Sequence, residues 1–310
     1  MVRLDFIINP QAGNGKGQKV WQMVEKELQA KNISYTAQLS QYRGHVKEIA
    51  ASLFKGRTET LNIVVIGGDG TLNEAINSIS NEERVRLGFI PGGSGNDFSR
   101  GFGIPKNPLK ALETIIDSLP AKGRQVDVGF IVNENEEKIF FINNMGVGFD
   151  ALICKEAEVS RVKKWLNRVS LGNFVYAIIL LRSLFTFQCT KVQITIDGIV
   201  HEFHSTWFVT IANQPYYGGG MKISPDANAS DGLLNITIVH DLSKLKLLLV
   251  SISVFWGGHV RFKEVHSFVG REISIQTASP LLIHVDGELA GSTPVKVKVR
   301  QKAIPIILND

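Results

Sequence analysis

The sequence predicts an N-terminal α/β domain with a parallel sheet, followed by a second, mostly antiparallel β-sandwich domain. Up to about residue 124, aliphatic strands alternate with helical patterns across short connections, which is typical of a parallel sheet. Beyond that point, short β-rich runs are separated by Asp-Gly pairs, which is typical of hairpins. A chain of 310 residues is long enough for two cores. We therefore assign 1–124 and about 304–310 to the first domain and 125–303 to the second.

The most informative stretch is 61–74. A β-branched aliphatic strand runs into two glycines, an acid and a third glycine, and a helical pattern follows. We expect Thr71 and Glu74 to form a capping box at the start of that helix. A turn without side chains lets a ligand approach the backbone closely, and the free N–H groups at a helix start can hold phosphate oxygens.

The other elements of the first domain can be placed in the same way. The patterns predict strands at Leu4–Ile8, Ser34–Ser40 and Arg86–Pro91, and helices after Lys16, at Gly44–Phe54 and at Pro108–Leu119.

Two further glycine-rich loops, at 9–17 and 92–100, each follow a strand. The carboxyl ends of parallel strands share one edge of a sheet, so we expect all three glycine loops to line that edge. The loop at 9–17 is not a Walker A motif, because Gly17 follows Lys16 and Pro10 occupies the place of a required glycine. A phosphate-binding turn and a plain strand–helix loop both remain open for it.

The second domain is predicted from short β-rich runs, with a helical insertion at 155–187 between them. The predicted strands are Val126–Val132, Lys138–Asn143, Lys191–Ile196, Thr206–Ala212, Leu233–Val239, Glu272–Thr277, Leu281–Val285 and Val295–Val299.

Composition narrows the class of protein. The formal net charge of +5 and the pI near 9.1 suit anionic ligands or an anionic membrane surface, and are too modest to argue for nucleic acid. Cys154 and Cys189 lack metal or redox spacing, which favours reduced thiols in the cytoplasm. We expect no signal peptide, and the apolar stretches 174–181 and 247–256 are shorter than the roughly 20 residues of a spanning helix.

Three motifs carry a family resemblance. The string Gly67–Glu74, Gly-Gly-Asp-Gly-Thr-Leu-Asn-Glu, resembles the nucleotide-binding signature shared by diacylglycerol kinases, sphingosine kinases and NAD kinases. Gly95–Arg100, with Gly-Asn-Asp-Phe-x-Arg, and Val285–Glu288, with Val-Asp-Gly-Glu, favour the diacylglycerol kinase branch. The chain thus resembles a bacterial lipid kinase of the diacylglycerol kinase catalytic family, with the NAD kinase/diacylglycerol kinase-like fold.

The resemblance implies ATP and a catalytic Mg²⁺ as cofactors. Glu288 stands at the family's proton-acceptor position, and we expect it to face the Gly67–Thr71 turn across the interdomain cleft. Asp69 would anchor Mg²⁺ directly or through water, with Asp97 supporting it. The implied nucleotide-binding residues are Asn9, Pro10, Gln11, Ala12, Gly13, Ser40, Gly67, Gly68, Asp69, Gly70, Thr71, Leu72, Asn73, Ser94 and Asn96. Ser94 replaces the family's usual threonine and keeps its hydroxyl.

A second, structural divalent ion is also implied. The segment 225–233 resembles the family's magnesium segment, in which Asp231 would give a side-chain ligand and Asn228 and Leu233 would give carbonyls. A plain hairpin turn is the alternative explanation for Asp231, as it is for Asp286, because glycine follows each.

The substrate implied by the resemblance is a lipid alcohol, which places a soluble kinase at a membrane. The insertion carries basic residues and a tryptophan that suit an anionic membrane surface, although a solvated helix face explains them equally well: Lys155, Arg161, Lys163, Lys164, Trp165 and Arg168.

Other functions compete with this one: an NAD kinase-like small-molecule kinase, and a non-catalytic nucleotide- or lipid-binding regulator. The sequence does not indicate which lipid alcohol is the substrate: diacylglycerol, monoacylglycerol, phosphatidylglycerol, undecaprenol or a sphingoid base. It leaves the oligomeric state open, and a homodimer is among the states it allows.

Overall fold

The first domain of the computed structural model is built on a parallel sheet, as expected. The structure describes residues 3–80, 82, 84–132, 136–159 and 181–308. The sheet order is β2-β1-β3-β4, with every pairing parallel. Its strands are β1 (Leu4–Ile8), β2 (Tyr35–Leu39), β3 (Leu61–Gly67) and β4 (Val85–Pro91). All residues of β1 and β3 are buried, because helices cover both faces of the sheet.

Five helices accompany this sheet: α1 (Ala12–Ala30), α2 (His45–Leu53), α3 (Asp69–Ile79), α4 (Asp97–Gly101) and α5 (Pro108–Ser118). The predicted capping box is wrong. Helix α3 begins at Asp69, so Thr71 lies inside its first turn, and no side chain caps the helix. The helix can begin this early because Thr71 packs directly against Gly67, where a Cβ would lie 2.6 Å from the Thr71 side chain.

The second domain is an antiparallel β-sandwich, again as expected. Its strands are β5 (Arg124–Val132), β6 (Lys138–Phe141), β7 (Asn144–Gly148), β8 (Thr190–Ile196), β9 (Ile199–Ala212), β10 (Leu234–His240), β11 (Val265–Gly270), β12 (Glu272–Thr277), β13 (Leu282–Val285) and β14 (Glu288–Ser292). Sequence patterns missed β7, β11 and β14. Glycines interrupt β7 and β14, and β14 has no buried residue, so neither shows a clear alternation.

Strand β15 (Val295–Ile306) joins the two domains. It pairs antiparallel with β12 and β5, and then parallel with β4 through Ile306 and Leu87. The end of the chain thus pairs with the parallel sheet of the first domain. The predicted end of the last sandwich strand at Val299 is wrong. Strand β15 continues to Ile306, with a register shift between Arg300 and Ile304.

Helix α6 (Phe149–Val159) opens the insertion six residues earlier than predicted, and 181–186 is helical at its other end. Helix α7 (Lys244–Ser253) follows β10. Lys155 is exposed, while Arg161, Lys163, Lys164, Trp165 and Arg168 lie outside the described residues. Within the described ranges, no helix is both long and apolar enough to cross a bilayer.

Candidate active site

The three glycine loops meet at the carboxyl edge of the parallel sheet, as the sequence predicts. The Gly67 carbonyl accepts hydrogen bonds from the amides of Gly92, at 2.7 Å, and Gly93, at 3.0 Å. A Cβ on Gly13, which has a φ of +58°, would lie 2.7 Å from the Gly92 carbonyl oxygen. The backbones of these loops are thus too close for side chains between them, which leaves main-chain groups to line the edge.

The first loop is tied to the first turn of α3 by Asn9. Its Nδ2 donates to Thr71 Oγ1 at 2.9 Å, and its Oδ1 accepts from the Gln11 amide at 3.0 Å. Pro10 and Ala12 flank Gln11 in the same turn, which runs into Gly13. Ser40 is buried at the end of β2, where its amide donates to the Ile8 carbonyl at 2.8 Å.

The N-terminus of α3 offers amide groups to an anion. Gly68 is the N-cap residue in an extended conformation, Gly70 is exposed, and no side chain satisfies the first-turn amides. A helix start of this kind favours phosphate oxygens through its free N–H groups and its dipole. Leu72 contributes packing instead, because its side chain is fully buried and its amide donates to the Gly68 carbonyl at 3.1 Å.

Asp69 has a structural role that sequence reasoning missed. Its Oδ2 accepts from the Asp97 amide and its Oδ1 from the Phe98 amide, both at 3.0 Å. From the first residue of α3, the carboxylate therefore caps α4 and is held in one orientation.

Asp97 joins the two domains. Its Oδ2 accepts from the Gly219 amide of the second domain at 2.7 Å, and its Oδ1 accepts from Arg100 Nη1. Burial raises the pKa of Asp97, and the nearby Asp69 charge adds to the rise, while the Gly219 hydrogen bond and the Arg100 charge oppose it.

The remaining residues of this loop differ in exposure. Asn96, at a φ of +53°, closes the turn: its Oδ1 accepts from the Gly93 amide at 3.2 Å and its Nδ2 donates to the Gly93 carbonyl at 2.9 Å. Ser94 is exposed beside it.

The carboxylates of Asp69 and Asp97 both lie close to Gly95. A Cβ at Gly95 would be 3.3 Å from Asp69 Oδ2 and 3.9 Å from Asp97 Oδ2. Among the described residues, no cluster of three or more His, Cys, Asp or Glu side chains could hold a metal ion. This sparse oxygen set fits Mg²⁺, which takes one or two carboxylates and completes its shell with water and phosphate oxygens.

Glu288 faces the α3 turn from the second domain, as we expected. Its Oε1 lies 3.9 Å from the position that a Cβ would take on Gly70. Its Oε2 pairs with Arg43 Nη2, at the end of the β2–α2 connection. Sequence reasoning missed Arg43, because 245 residues separate it from Glu288.

Asp286 does far more than form a turn. It and Gly287 have φ values of +45° and +89°, so they do form the β13–β14 hairpin turn. Its carboxylate also accepts four hydrogen bonds of 2.9–3.0 Å, three from the amides of 142–144 and one from Asn73 Nδ2. Burial raises the pKa of Asp286 to about 6, against the opposing effect of these donors.

The predicted structural ion site lies in the loop before β10. Asp231 is exposed, and its Oδ1 accepts from the Leu233 amide at 2.9 Å, while the Asn228 carbonyl accepts from the Asp231 amide at 3.4 Å. The hairpin alternative does not describe this loop, since β9 and β10 are joined by a connection of 21 residues, 213–233. Asn228, Asp231 and Leu233 are close together, and their binding of an ion stays a prediction.

Comparisons with known proteins agree with this architecture. A family model described as "Diacylglycerol kinase catalytic domain" matches residues 3–131, and one described as "YegS C-terminal NAD kinase beta sandwich-like domain" matches 144–308. A Bacillus subtilis (strain 168) protein named "Putative lipid kinase YtlR" is 32% identical over 294 residues, covering 94% of this chain and 95% of that protein.

A Mycobacterium tuberculosis protein named "Diacylglycerol kinase" is 30% identical over 260 residues, covering 84% of this chain and 79% of that protein. A crystal structure of a "putative diacylglycerol kinase" from Bacillus anthracis str. Sterne superposes with a TM-score of 0.75 at 25% identity, covering 99% of this chain and 97% of the other. Matched by family models in both domains and by relatives over most of its length, this chain belongs to the diacylglycerol kinase catalytic-domain family of lipid kinases.

Proposed function

We propose that the protein is an ATP-dependent lipid kinase, which transfers the γ-phosphate of ATP to the hydroxyl of a lipid alcohol such as diacylglycerol. The observation that carries this proposal is the position of Glu288 opposite Gly70 at the start of α3. A carboxylate there can accept the proton of a hydroxyl while phosphate is held by the amides of the facing turn.

Different residues of the site would bind the triphosphate and the Mg²⁺ during phosphoryl transfer. The three glycine loops would hold the triphosphate through main-chain amides, with Asn9 and Thr71 keeping two of the loops together. Asp69 and Asp97 would hold Mg²⁺, which when bound neutralises charge on the phosphates. Asp69 needs no reorganisation for this role, because the Asp97 and Phe98 amides already fix its orientation.

Glu288 would act as the general base. Arg43 holds one of its oxygens, and the other faces the α3 turn. As the lipid hydroxyl oxygen bonds to the γ-phosphorus, its proton passes to Glu288 and the bond to the β–γ bridging oxygen breaks. ADP and a lipid phosphate are the products.

The test is incubation of the protein with labelled ATP and Mg²⁺ and a panel of lipid alcohols in mixed micelles, with NAD as a soluble acceptor in parallel. We expect label in at least one lipid and none in NAD. Label in NAD alone would instead assign the NAD kinase branch. Nucleotide binding without transfer to any acceptor would assign a non-catalytic regulator.

A further inference from the structure

Helix α7 is apolar on the face that it turns to solvent. Leu245, Leu249 and Ile252 recur at positions i, i+4 and i+7, and Phe255 and Trp256 continue the row in the 3₁₀ turn that follows; these five residues are 58–73% exposed. The opposite face packs into a separate apolar cluster through Leu247, Val250 and Val254. The exposed row is therefore additional to what the fold needs for packing.

Phe185 extends this row beyond the helix. It is 70% exposed, its ring centroid lies 5.3 Å from Lys244 Nζ, and its carbonyl accepts from that Nζ at 3.2 Å. We call Phe185 and the five residues above the apolar ridge. Single exposed apolar side chains are common on soluble proteins, but six of them on and beside one helix mark an interaction surface.

Exposed basic residues lie close to the ridge in sequence, next to one exposed acid, Asp241, which directly precedes them. Between 242 and 263 the chain carries four basic residues and no acidic residue. Lys244, Arg261 and Lys263 are exposed, and Lys246 pairs with Glu264 at 2.6 Å. An apolar face flanked by exposed cations, with an exposed tryptophan at its end, has the composition of an interfacial helix that binds anionic lipid.

The ridge is also tied to the active site. The carbonyl of Val254, between Ile252 and Trp256, accepts from the Lys222 amide at 2.9 Å. Three residues earlier in the same loop, the Gly219 amide donates to Asp97 at 2.7 Å. Three residues span at most about 11 Å, so the base of the ridge lies within a short loop of the catalytic carboxylates.

We propose that the apolar ridge is a membrane-docking surface, which inserts into the boundary between headgroups and acyl chains of an anionic bilayer. The exposed Lys244, Arg261 and Lys263 contact the lipid phosphates, and Trp256 lies among the headgroups. The identity of the bilayer lipid as the source of substrate rests on the proposed function. The docking itself does not, because it can be measured without nucleotide.

The experiment is co-sedimentation of the full chain, without ATP, with phosphatidylcholine vesicles that contain or lack phosphatidylglycerol. We expect the wild type to bind the anionic vesicles and to bind them less at high salt. Leu249→Glu/Ile252→Glu should weaken binding at least about tenfold, because the apolar burial of two side chains is lost. The matched control is Ile199→Glu/Val200→Glu, which adds the same charges at two exposed apolar positions of β9 and should bind like the wild type.

Tryptophan fluorescence keeps the proposal testable without either double variant. Brominated lipids in the anionic vesicles should quench the wild type, and Trp256→Phe should remove that part of the quenching. Equal binding by Leu249→Glu/Ile252→Glu and wild type, or quenching unchanged by Trp256→Phe, would overturn the proposal. A dimer that this double variant dissociates, with vesicle binding intact, would assign the ridge to a second copy of the chain instead. Failure of all lipid phosphorylation by a chain that still docks would contradict the proposed function alone.

Discussion

Asn73 of α3 donates a hydrogen bond from Nδ2 to Asp286 Oδ2 at 2.9 Å, and this bond joins α3 to the hairpin that carries Glu288. The same Nδ2 lies 3.0 Å from the Phe140 carbonyl, and Asn77, one turn later, accepts from the Phe140 amide at 2.8 Å. Because α3 begins at the glycine turn and Asp286 precedes Glu288 by two residues, these contacts set the position of the Glu288 side chain relative to that turn. Asp286 is thus a positioning residue for Glu288.

The first prediction concerns Asp286→Asn. The amide nitrogen of asparagine would face N–H donors, so we expect a loss of about 1–3 kcal/mol in the free energy of unfolding. We also expect a lower kcat with an unchanged Kd for ATP, since the hairpin no longer holds Glu288 in place. The matched control is Asp197→Asn in the β8–β9 Asp-Gly turn, whose carboxylate accepts from the amides of Arg271 and Glu272. The Asp197→Asn variant should lose stability and keep its kcat. An equal loss of kcat in both variants would show that Asp286 stabilises the fold without positioning Glu288.

The same variant tests the raised pKa of Asp286. Its pKa is about 6 in the folded chain and 3.8 ordinarily, so the folded state binds more protons than the unfolded state between these values. The stability that this group contributes is therefore fully present below about pH 4 and is lost as the pH rises through about 6. Asparagine does not titrate. The unfolding free energy of the wild type minus that of Asp286→Asn should fall over this window and stay level above it, and a constant difference from pH 4 to 7 would contradict the assignment.

Local patterns were enough to predict most of the fold, but not the contacts that complete the site. The strands of the first domain are recognisable because whole aliphatic runs are buried between helices. Strand β14 has no such signal, since all its residues lie partly or fully in solvent. The function of Asp286 depends on Asn73, which is 213 residues away in sequence, and a single sequence contains no trace of that pairing. Because a hairpin turn fully explains the Asp-Gly pair, the sequence gives no reason to expect the contact between Asp286 and Asn73.

The second prediction is that Asp69→Asn abolishes turnover with a modest loss of stability. Asparagine keeps one acceptor where the carboxylate caps α4 through two, and cap losses typically cost about 0.5–2 kcal/mol. Turnover should fall much further, because the charge proposed to hold Mg²⁺ is gone. Asn107→Ala is the control, since it removes the side-chain cap of α5 away from the site and should be equally destabilised but active. An Asp69→Asn enzyme with most of the wild-type kcat at saturating Mg²⁺ would refute the magnesium role.

The third prediction is a structural divalent ion at Asp231. Removing the ion with a chelator should lower the melting temperature of the wild type by about 5 °C or more, because an ion that binds only the folded chain stabilises it. Asp231→Ala should start from the lower value and not respond to the chelator. Asp117→Ala, at an exposed acid on α5, should respond as the wild type does. A wild-type melting temperature that is the same with and without chelator would contradict the presence of a structural ion at Asp231.

The last prediction is that Glu288 is the general base. Its two oxygens have different surroundings: Oε2 pairs with Arg43, and Oε1 is directed at Gly70 and the first turn of α3. Arg43 therefore holds the carboxylate in place while leaving one oxygen for a hydroxyl. Proton removal in the transition state typically contributes about 10²–10⁴-fold to the rate.

Glu288→Gln keeps the shape of the side chain and removes its basicity. We expect kcat to fall by about 10²–10⁴-fold, whereas the Kd for ATP stays unchanged, because the glycine loops that would hold the nucleotide belong to the other domain. Glu272→Gln on β12 is the matched control: it makes the same substitution and breaks an exposed ion pair with Lys298 at 2.8 Å. That variant should turn over at the wild-type rate. A Glu288→Gln enzyme with normal kcat would show that the hydroxyl proton leaves by another route, and Glu288 would then be left with only its contact to Arg43.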